Sequence, residues 1–164
     1  MVLVGDGVQI LRAENHNVPG RHWREDGLRG LMNRLGLVPG RDLFPLTYVS
    51  DNDLIYIMNH ATALIMPTHA EGFGLPVLEA LARGVPVLCS DIPVLHETLA
   101  GRSADVLWFD PYLPEDIVSK VNTLLDNYDH YKQSAEAGRN DPRPDWPDTA
   151  EQYVQVFKKT LNRP

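Results

Sequence analysis

Residues 68–87 read Thr-His-Ala-Glu-Gly-Phe-Gly-Leu-Pro-Val-Leu-Glu-Ala-Leu-Ala-Arg-Gly-Val-Pro-Val. An apolar run ends at Pro67 just before this stretch, a short segment with Gly72 and Gly74 follows, and Pro76 stands where the first turn of a helix is expected. In open parallel sheets, ligands bind at the carboxyl ends of the strands. The stretch therefore predicts a ligand-binding loop between a buried strand and a helix.

Apolar runs elsewhere in the chain predict the remaining strands. Five such runs lack polar alternation and lie at residues 2–4, 42–49, 62–66, 85–89 and 104–109. Strands of this kind are buried on both faces, as in parallel sheets covered by helices. Between the runs, Pro76 and Pro93 mark helix starts, and Gly84 and Gly101 mark helix ends. The chain is predicted to have an α/β fold with a mostly parallel sheet.

Composition restricts the class of protein. The 164 residues carry a formal net charge of −7 and the pI is near 5.2, which argues against binding to nucleic acid or to anionic membranes. No apolar stretch approaches the ~18 residues of a transmembrane segment, and residues 1–5 lack the pattern of a signal peptide. We expect a cytoplasmic protein whose one cysteine, Cys89, is a buried apolar residue and not a catalytic thiol.

A proline-rich segment divides the chain near its end. Residues 138–147 contain three prolines and carry no apolar period. Beyond them Tyr153, Phe157 and Leu161 recur every four residues, which predicts an amphipathic helix. We therefore expect one domain over residues 1–145 and a C-terminal helix over residues 146–164.

Two carboxylates flank the predicted loop and helix start. Glu71 and Glu79 would not touch a phosphate, because like charges at ~4 Å repel by one to several kcal/mol. A carboxylate instead accepts hydrogen bonds from neighbouring sugar hydroxyls. With an anion between them, the two acids would suit a nucleotide sugar. The alternatives are a surface pair of Glu79 with Arg83 and a solvated loop acid at Glu71.

The central motif resembles the signature of a known family. Its residues are Glu71-Gly72-Phe73-Gly74-Leu75-Pro76, then Glu79-Ala80, Gly84, Pro86-Val87 and Ser90. They are similar to the E-x(7)-E pattern of retaining glycosyltransferases with the GT-B fold, which has two Rossmann-like domains. Glycogen synthases, sucrose synthases and bacterial mannosyltransferases are in this group. The resemblance implies a Rossmann-like three-layer sandwich that forms one half of a GT-B fold and binds the donor.

The same resemblance implies a role for each matched residue. Glu71 is the candidate catalytic residue and contacts hydroxyls of the donor sugar, orienting it without attacking it. Glu79 binds the ribose of the nucleotide. The other expected substrate-binding residues are Gly72, Phe73, Gly74 and Leu75, near the diphosphate and sugar, and Tyr48, Val49, Ser50 and Leu54, beside the base. No spacing among histidines, cysteine and acids indicates a metal site, and no cofactor is expected.

The chain also departs from the family pattern. By the resemblance, a strand and helix precede the segment Val4-Gly5-Asp6-Gly7, and here Met1 stands where the second strand begins. The acceptor-binding domain is missing from the chain as well. We expect the strand at residues 2–4 to pair directly with the strand at residues 62–66, or another chain to supply the missing strand. An unpaired strand edge would also favour oligomers.

Two functions of different classes remain open. The first is the donor-binding domain of a retaining glycosyltransferase, which transfers a sugar from a nucleoside diphosphate sugar to an acceptor hydroxyl. Its partners would be that donor and an acceptor domain or partner chain. The second is a non-catalytic binding or assembly module derived from such an enzyme. A sugar-nucleotide epimerase of similar fold is less favoured, because the complete E-x(7)-E pattern points to transfer.

Overall fold

The computed structural model describes residues 1–4, 28–38, 40–46, 49–141 and 146–161. The chain divides into two compact units, residues 1–57 and residues 58–164. The division lies within a helix, between Ile57 and Met58. The expected separation of residues 146–164 as an appended helix stays a prediction.

The first unit holds two short parallel strands and the helices that follow them. Strand β1 (Val2–Val4) precedes α1 (Leu28–Arg34), and β2 (Phe44–Leu46) precedes α2 (Asp51–Asn59), which runs into the second unit. Val2 lies opposite Phe44 in the β1–β2 register. Among the described residues of this unit, Met32 and Leu43 are buried.

The second unit is a three-stranded parallel sheet with helices on both faces. Its elements are β3 (Leu64–Met66), α3 (Leu75–Leu81), β4 (Val87–Ser90), α4 (Pro93–Leu99), β5 (Leu107–Phe109), α5 (Pro114–Asp126), α6 (Tyr128–Gly138) and α7 (Trp146–Leu161). The strand order is β3-β4-β5, and Ile65 lies opposite Leu88, which lies opposite Leu107. Since all three strands run the same way, their carboxyl ends share one edge of the sheet.

Alternate residues of β4 pack against the two helical layers. Val87 and Cys89 face the cluster formed with α3 and α4, which includes Val77 and Leu95. Leu88 faces the opposite cluster, which includes Leu124 of α5. This alternation follows from the period of two in a strand. The Rossmann-like three-layer prediction is confirmed in this unit.

Each of the five predicted apolar runs overlaps a strand. The direct pairing of the first strand with the third, one of the two alternatives expected above, is not among the strand pairings of the described residues. Within the described chain, β1 is hydrogen-bonded to β2 and β3 to β4, in two separate sheets. Donation of a strand by another chain stays a prediction.

Small residues allow α6 to approach the start of β5 closely. A Cβ atom at Gly138 would lie 2.8 Å from the Cβ of Ala104. Helix α6 also contacts the segment before β4, because Lys132 Nζ donates to the carbonyl oxygen of Gly84 at 2.7 Å. The helix is therefore anchored to the segments that precede β4 and β5. None of the described helices is long and apolar enough to cross a membrane.

Burial of Cys89 gives a chemical test of the second unit. Burial, with a smaller effect of the Asp91 charge, raises the pKa of the Cys89 thiol to about 12. The reactive species is the thiolate, so we expect no reaction with Ellman's reagent in the native protein and full reaction in urea. A Ser119→Cys variant, with an added thiol at an exposed site, is the control and should react at once. Rapid native labelling of Cys89 would contradict the described core.

Candidate functional site

A loop of eight residues, 67–74, connects β3 to α3 at the carboxyl edge of the sheet. At its start, Ser90 Oγ on β4 donates to the carbonyl oxygen of Met66 at 3.2 Å and joins the ends of the two strands. Ser90 is fully buried. Within the loop, Thr68 Oγ1 donates to the carbonyl oxygen of Ala70 at 2.8 Å. These bonds fix the path of the backbone that leads to Glu71.

Gly74 ends the loop and is the N-cap of α3. Its φ is +84°, a left-handed value that favours glycine. A Cβ atom built here would collide with Cδ2 of Leu95 on α4. Gly72 differs, since a Cβ there would meet nothing within 4 Å. The structure thus requires glycine at position 74 for packing, and leaves the space beside position 72 open.

Helix α4 supports the loop through a hydrogen bond as well as through packing. Thr98 Oγ1 donates to the carbonyl oxygen of Phe73 at 2.5 Å. The side chains of Phe73 and Leu75 point outward and are 54% and 59% exposed. The backbone of the loop is therefore held from α4, while two apolar side chains remain accessible to a ligand or partner.

The two glutamates have no protein partner for their carboxylates within the described chain. Both residues are half-buried. Arg83 lies just beyond the end of α3, and its Nη1 donates to the backbone carbonyl oxygen of Glu79 at 2.8 Å. The expected alternative, an ion pair between Arg83 and the Glu79 carboxylate, does not form among the described residues. Both acids stay available to hydroxyl donors from a ligand.

Six of the predicted site residues lie in one short stretch of the second unit. Glu71, Gly72, Phe73, Gly74 and Leu75 are contiguous in the loop and the first turn of α3, and Glu79 lies on the same helix.

The residues expected beside the base belong to the first unit. Val49, Ser50 and Leu54 lie there, and Tyr48 falls outside the described residues. Ser50 acts as a helix cap, because its Oγ accepts from the backbone N–H of Asp53 at 3.2 Å and donates to that residue's carboxylate at 2.8 Å. A serine followed three residues later by an acid is the sequence pattern of a helix N-terminus.

Three residues near the loop were not selected from the sequence. Thr98 and Leu95 support the loop, and Tyr112 packs its ring against His69, with centroids 4.5 Å apart. Two of them lie on α4 and the third in the segment after β5, and none has a motif of its own. These residues could have been identified only from the three-dimensional placement of α4 and of the segment after β5 beside the loop.

Comparison with known proteins identifies the family. Residues 34–141, two thirds of the chain, match the family model described as glycosyl transferases group 1. The chain belongs to this family. The match includes the loop, both glutamates and every strand of the second unit.

Two similar proteins come from bacteria. O-antigen chain mannosyltransferase B of Escherichia coli is 44% identical over 87 residues, which are 52% of this chain and 22% of that protein. O-antigen chain mannosyltransferase RfbU of Salmonella typhimurium is 37% identical over 95 residues, 49% of this chain and 26% of that protein. The aligned part of the chain thus spans about a quarter of each relative.

A solved structure supports the fold of this group 1 chain. Sucrose-phosphate synthase from Thermosynechococcus elongatus superposes with a TM-score of 0.62 at 20% identity, covering 98% of this chain and 45% of that one. The chain thus has the fold of one half of a GT-B glycosyltransferase, as predicted.

The contact of Gly74 with Leu95 predicts a destabilising substitution. Gly74→Ala should lower the free energy of unfolding by ~1–2 kcal/mol through its left-handed φ, and by a further ~1–3 kcal/mol through the collision with Leu95. Gly101→Ala is the matched control, since Gly101 has a φ of +75° and open space around it. Urea denaturation of both variants measures the difference, and equal losses would show that Leu95 does not confine the loop.

Proposed function

We propose that the chain is the donor-binding domain of a retaining glycosyltransferase. The observation that carries the proposal is that Glu71 and Glu79 are half-buried, lie on one loop and its helix, and have carboxylates without a partner in the described protein. Carboxylates held at a protein surface without cations suit sugar hydroxyls, which donate strong charge-assisted hydrogen bonds. Two such acids would bind the two polyol ends of a nucleoside diphosphate sugar.

The diphosphate would lie between these ends, against the loop backbone. Gly72 leaves open space where a side chain would otherwise stand, so that a phosphate oxygen could approach the backbone N–H groups. The hydrogen bond from Thr98 to Phe73 keeps those groups in a fixed position. Preorganised donors of this kind stabilise charge that develops during a reaction.

The proposed reaction retains the configuration at the anomeric carbon. The acceptor hydroxyl attacks on the face from which the nucleoside diphosphate departs, so one C–O bond forms to the acceptor as the bond to the diphosphate oxygen breaks. The loop would stabilise the charge on the leaving diphosphate. Glu71 would orient the sugar through its hydroxyls and take no part as a nucleophile.

The relatives indicate which sugar is transferred and where the acceptor binds. Both bacterial proteins compared above are named mannosyltransferases, which supports mannose as the transferred sugar. Because the aligned region is about a quarter of each relative, we assign acceptor binding to a further domain or a partner chain. Cytoplasmic location and oligomerisation through a strand edge stay predictions from the sequence.

The alternative is a non-catalytic nucleotide-sugar-binding or assembly module. The net charge of −7 favours it, since this charge opposes an anionic donor. Calorimetric titration with UDP, GDP and ADP tests nucleotide binding: saturable heat with one of them is the result expected of the donor domain and excludes a module that serves assembly alone. Absence of heat with all three at millimolar concentration would contradict the proposal and favour assembly.

The two glutamates should respond differently to a nucleoside diphosphate that carries no sugar. Glu79→Ala should weaken its binding by ~1.5–3 kcal/mol, the contribution of a hydrogen bond to a charged group, because Glu79 is assigned to the ribose. Glu71→Ala should leave the affinity for the sugar-free nucleotide unchanged and should weaken only the binding of the nucleotide sugar. Calorimetry on both variants with both ligands measures this, and equal losses with the sugar-free ligand would overturn the assignment.

A further inference from the structure

A second concave surface lies on the outer edge of the sheet of the second unit. It is a groove of about 540 Å³ beside β5, between the end of α4 and the start of α6. Ligand sites in proteins have volumes of ~300–1,000 Å³. Its lining includes Asp105 and Val106, which precede β5, whereas Glu71 follows the carboxyl end of β3. Because the strands are parallel, the groove and the loop lie toward opposite ends of the sheet.

One wall of the groove carries an acid and an imidazole. His130 Nε2 lies 3.1 Å from Asp105 Oδ2, and the backbone N–H of Asp105 donates to Ser134 Oγ at 2.7 Å. The His130 ring also meets the ring of Tyr131 edge-on, with centroids 5.0 Å apart. The Asp105 and His130 side chains are nevertheless 57% and 64% exposed. They are held in position and still reachable by a ligand.

The other wall is aromatic and apolar. Trp108 lines the groove together with Leu99 and Tyr131. The indole is fixed by stacking on His96, with centroids 3.9 Å apart and an interplanar angle of 19°. His96 Nε2 in turn lies 2.6 Å from Asp91 Oδ1. The position of the Trp108 ring is therefore stabilised by a second acid–imidazole pair, Asp91 with His96.

This combination selects a class of ligand. None of the described residues that line the groove is Lys or Arg, so that it lacks the cations that bind phosphates. A carboxylate accepts hydrogen bonds from hydroxyls, and an imidazole can donate or accept. Aromatic rings pack against apolar faces. A hexopyranose ring has hydroxyls around its rim and C–H groups on its faces, and it matches both walls.

We propose that this groove binds one hexose unit of a neutral oligosaccharide, at a site separate from the loop that carries Glu71. The site would hold a glycan chain at the domain surface and leave the donor loop free. This inference is independent of the proposed donor function, because its ligand follows from the walls of the groove alone.

The test is a titration of the full ¹⁵N-labelled chain with mannotriose, followed by two-dimensional NMR. We expect saturable shifts in the Trp108 indole N–H and in the backbone N–H groups of residues 104–106 and 130–131. His130→Ala should weaken binding at least tenfold, because it removes one polar wall. Gln133→Ala, an exposed residue of the same helix outside the groove, is the matched control and should bind as well as the parent chain.

The NMR spectrum of each variant also reports whether it is folded. Shifts confined to residues 71–79 would overturn the proposal, since the sugar would then bind at the donor loop. An absence of saturable shifts, or an unchanged affinity in folded His130→Ala, would overturn it as well. A parallel titration with inorganic phosphate should not shift the NMR signals of the groove residues. Phosphate binding in the groove would contradict the proposal that its ligand is neutral. Nucleotide binding at the loop is measured separately, so that failure of one proposal does not imply failure of the other.

Discussion

Burial of β4 on both faces is the constraint on which the second unit depends. Its residues Val87, Leu88, Cys89 and Ser90 are all fully buried, because β3 and β5 pair with its edges and helices cover its faces. A strand in this position tolerates almost no polar group, and Ser90 is accommodated because its hydroxyl bonds to the end of β3. The same bond lies one residue before the loop. The hydrogen bond from Ser90 to Met66 thus belongs to the core and also positions the start of the loop.

The loop acquires its shape from α4 and not from its own residues alone. Leu95 is buried in the core on the side that faces Gly74, and Thr98 on the next turn reaches the carbonyl oxygen of Phe73. Since α4 is packed against the sheet, the loop backbone is fixed before any ligand arrives. A binding surface that is already ordered loses less conformational entropy when the ligand binds.

Local patterns predicted the strands, the loop and the first-turn prolines, because each depends on residues that are close in sequence. The run Val85–Cys89 has no polar residue to place on a solvated face, and Pro76 fits only the first turn of a helix. The Ser50–Asp53 cap in the structure likewise joins residues that are close in sequence. The partner of β1 could not be predicted in this way, since the register joins Val2 to Phe44, which are far apart in the sequence. Contacts such as Thr98 with Phe73 join residues 25 positions apart and carry no sequence signal.

The close approach of Gly138 to Ala104 has a consequence for how this surface could evolve. Ala104 lines the groove beside β5, and the missing side chain at Gly138 lets α6 lie directly against it. A larger residue at either position would push the last turn of α6 away from residue 104 and change the shape of the groove that Ala104 lines. Among related sequences, the volumes of these two residues should therefore vary together, and a lineage that altered both could admit a bulkier ligand without changing any group that touches it.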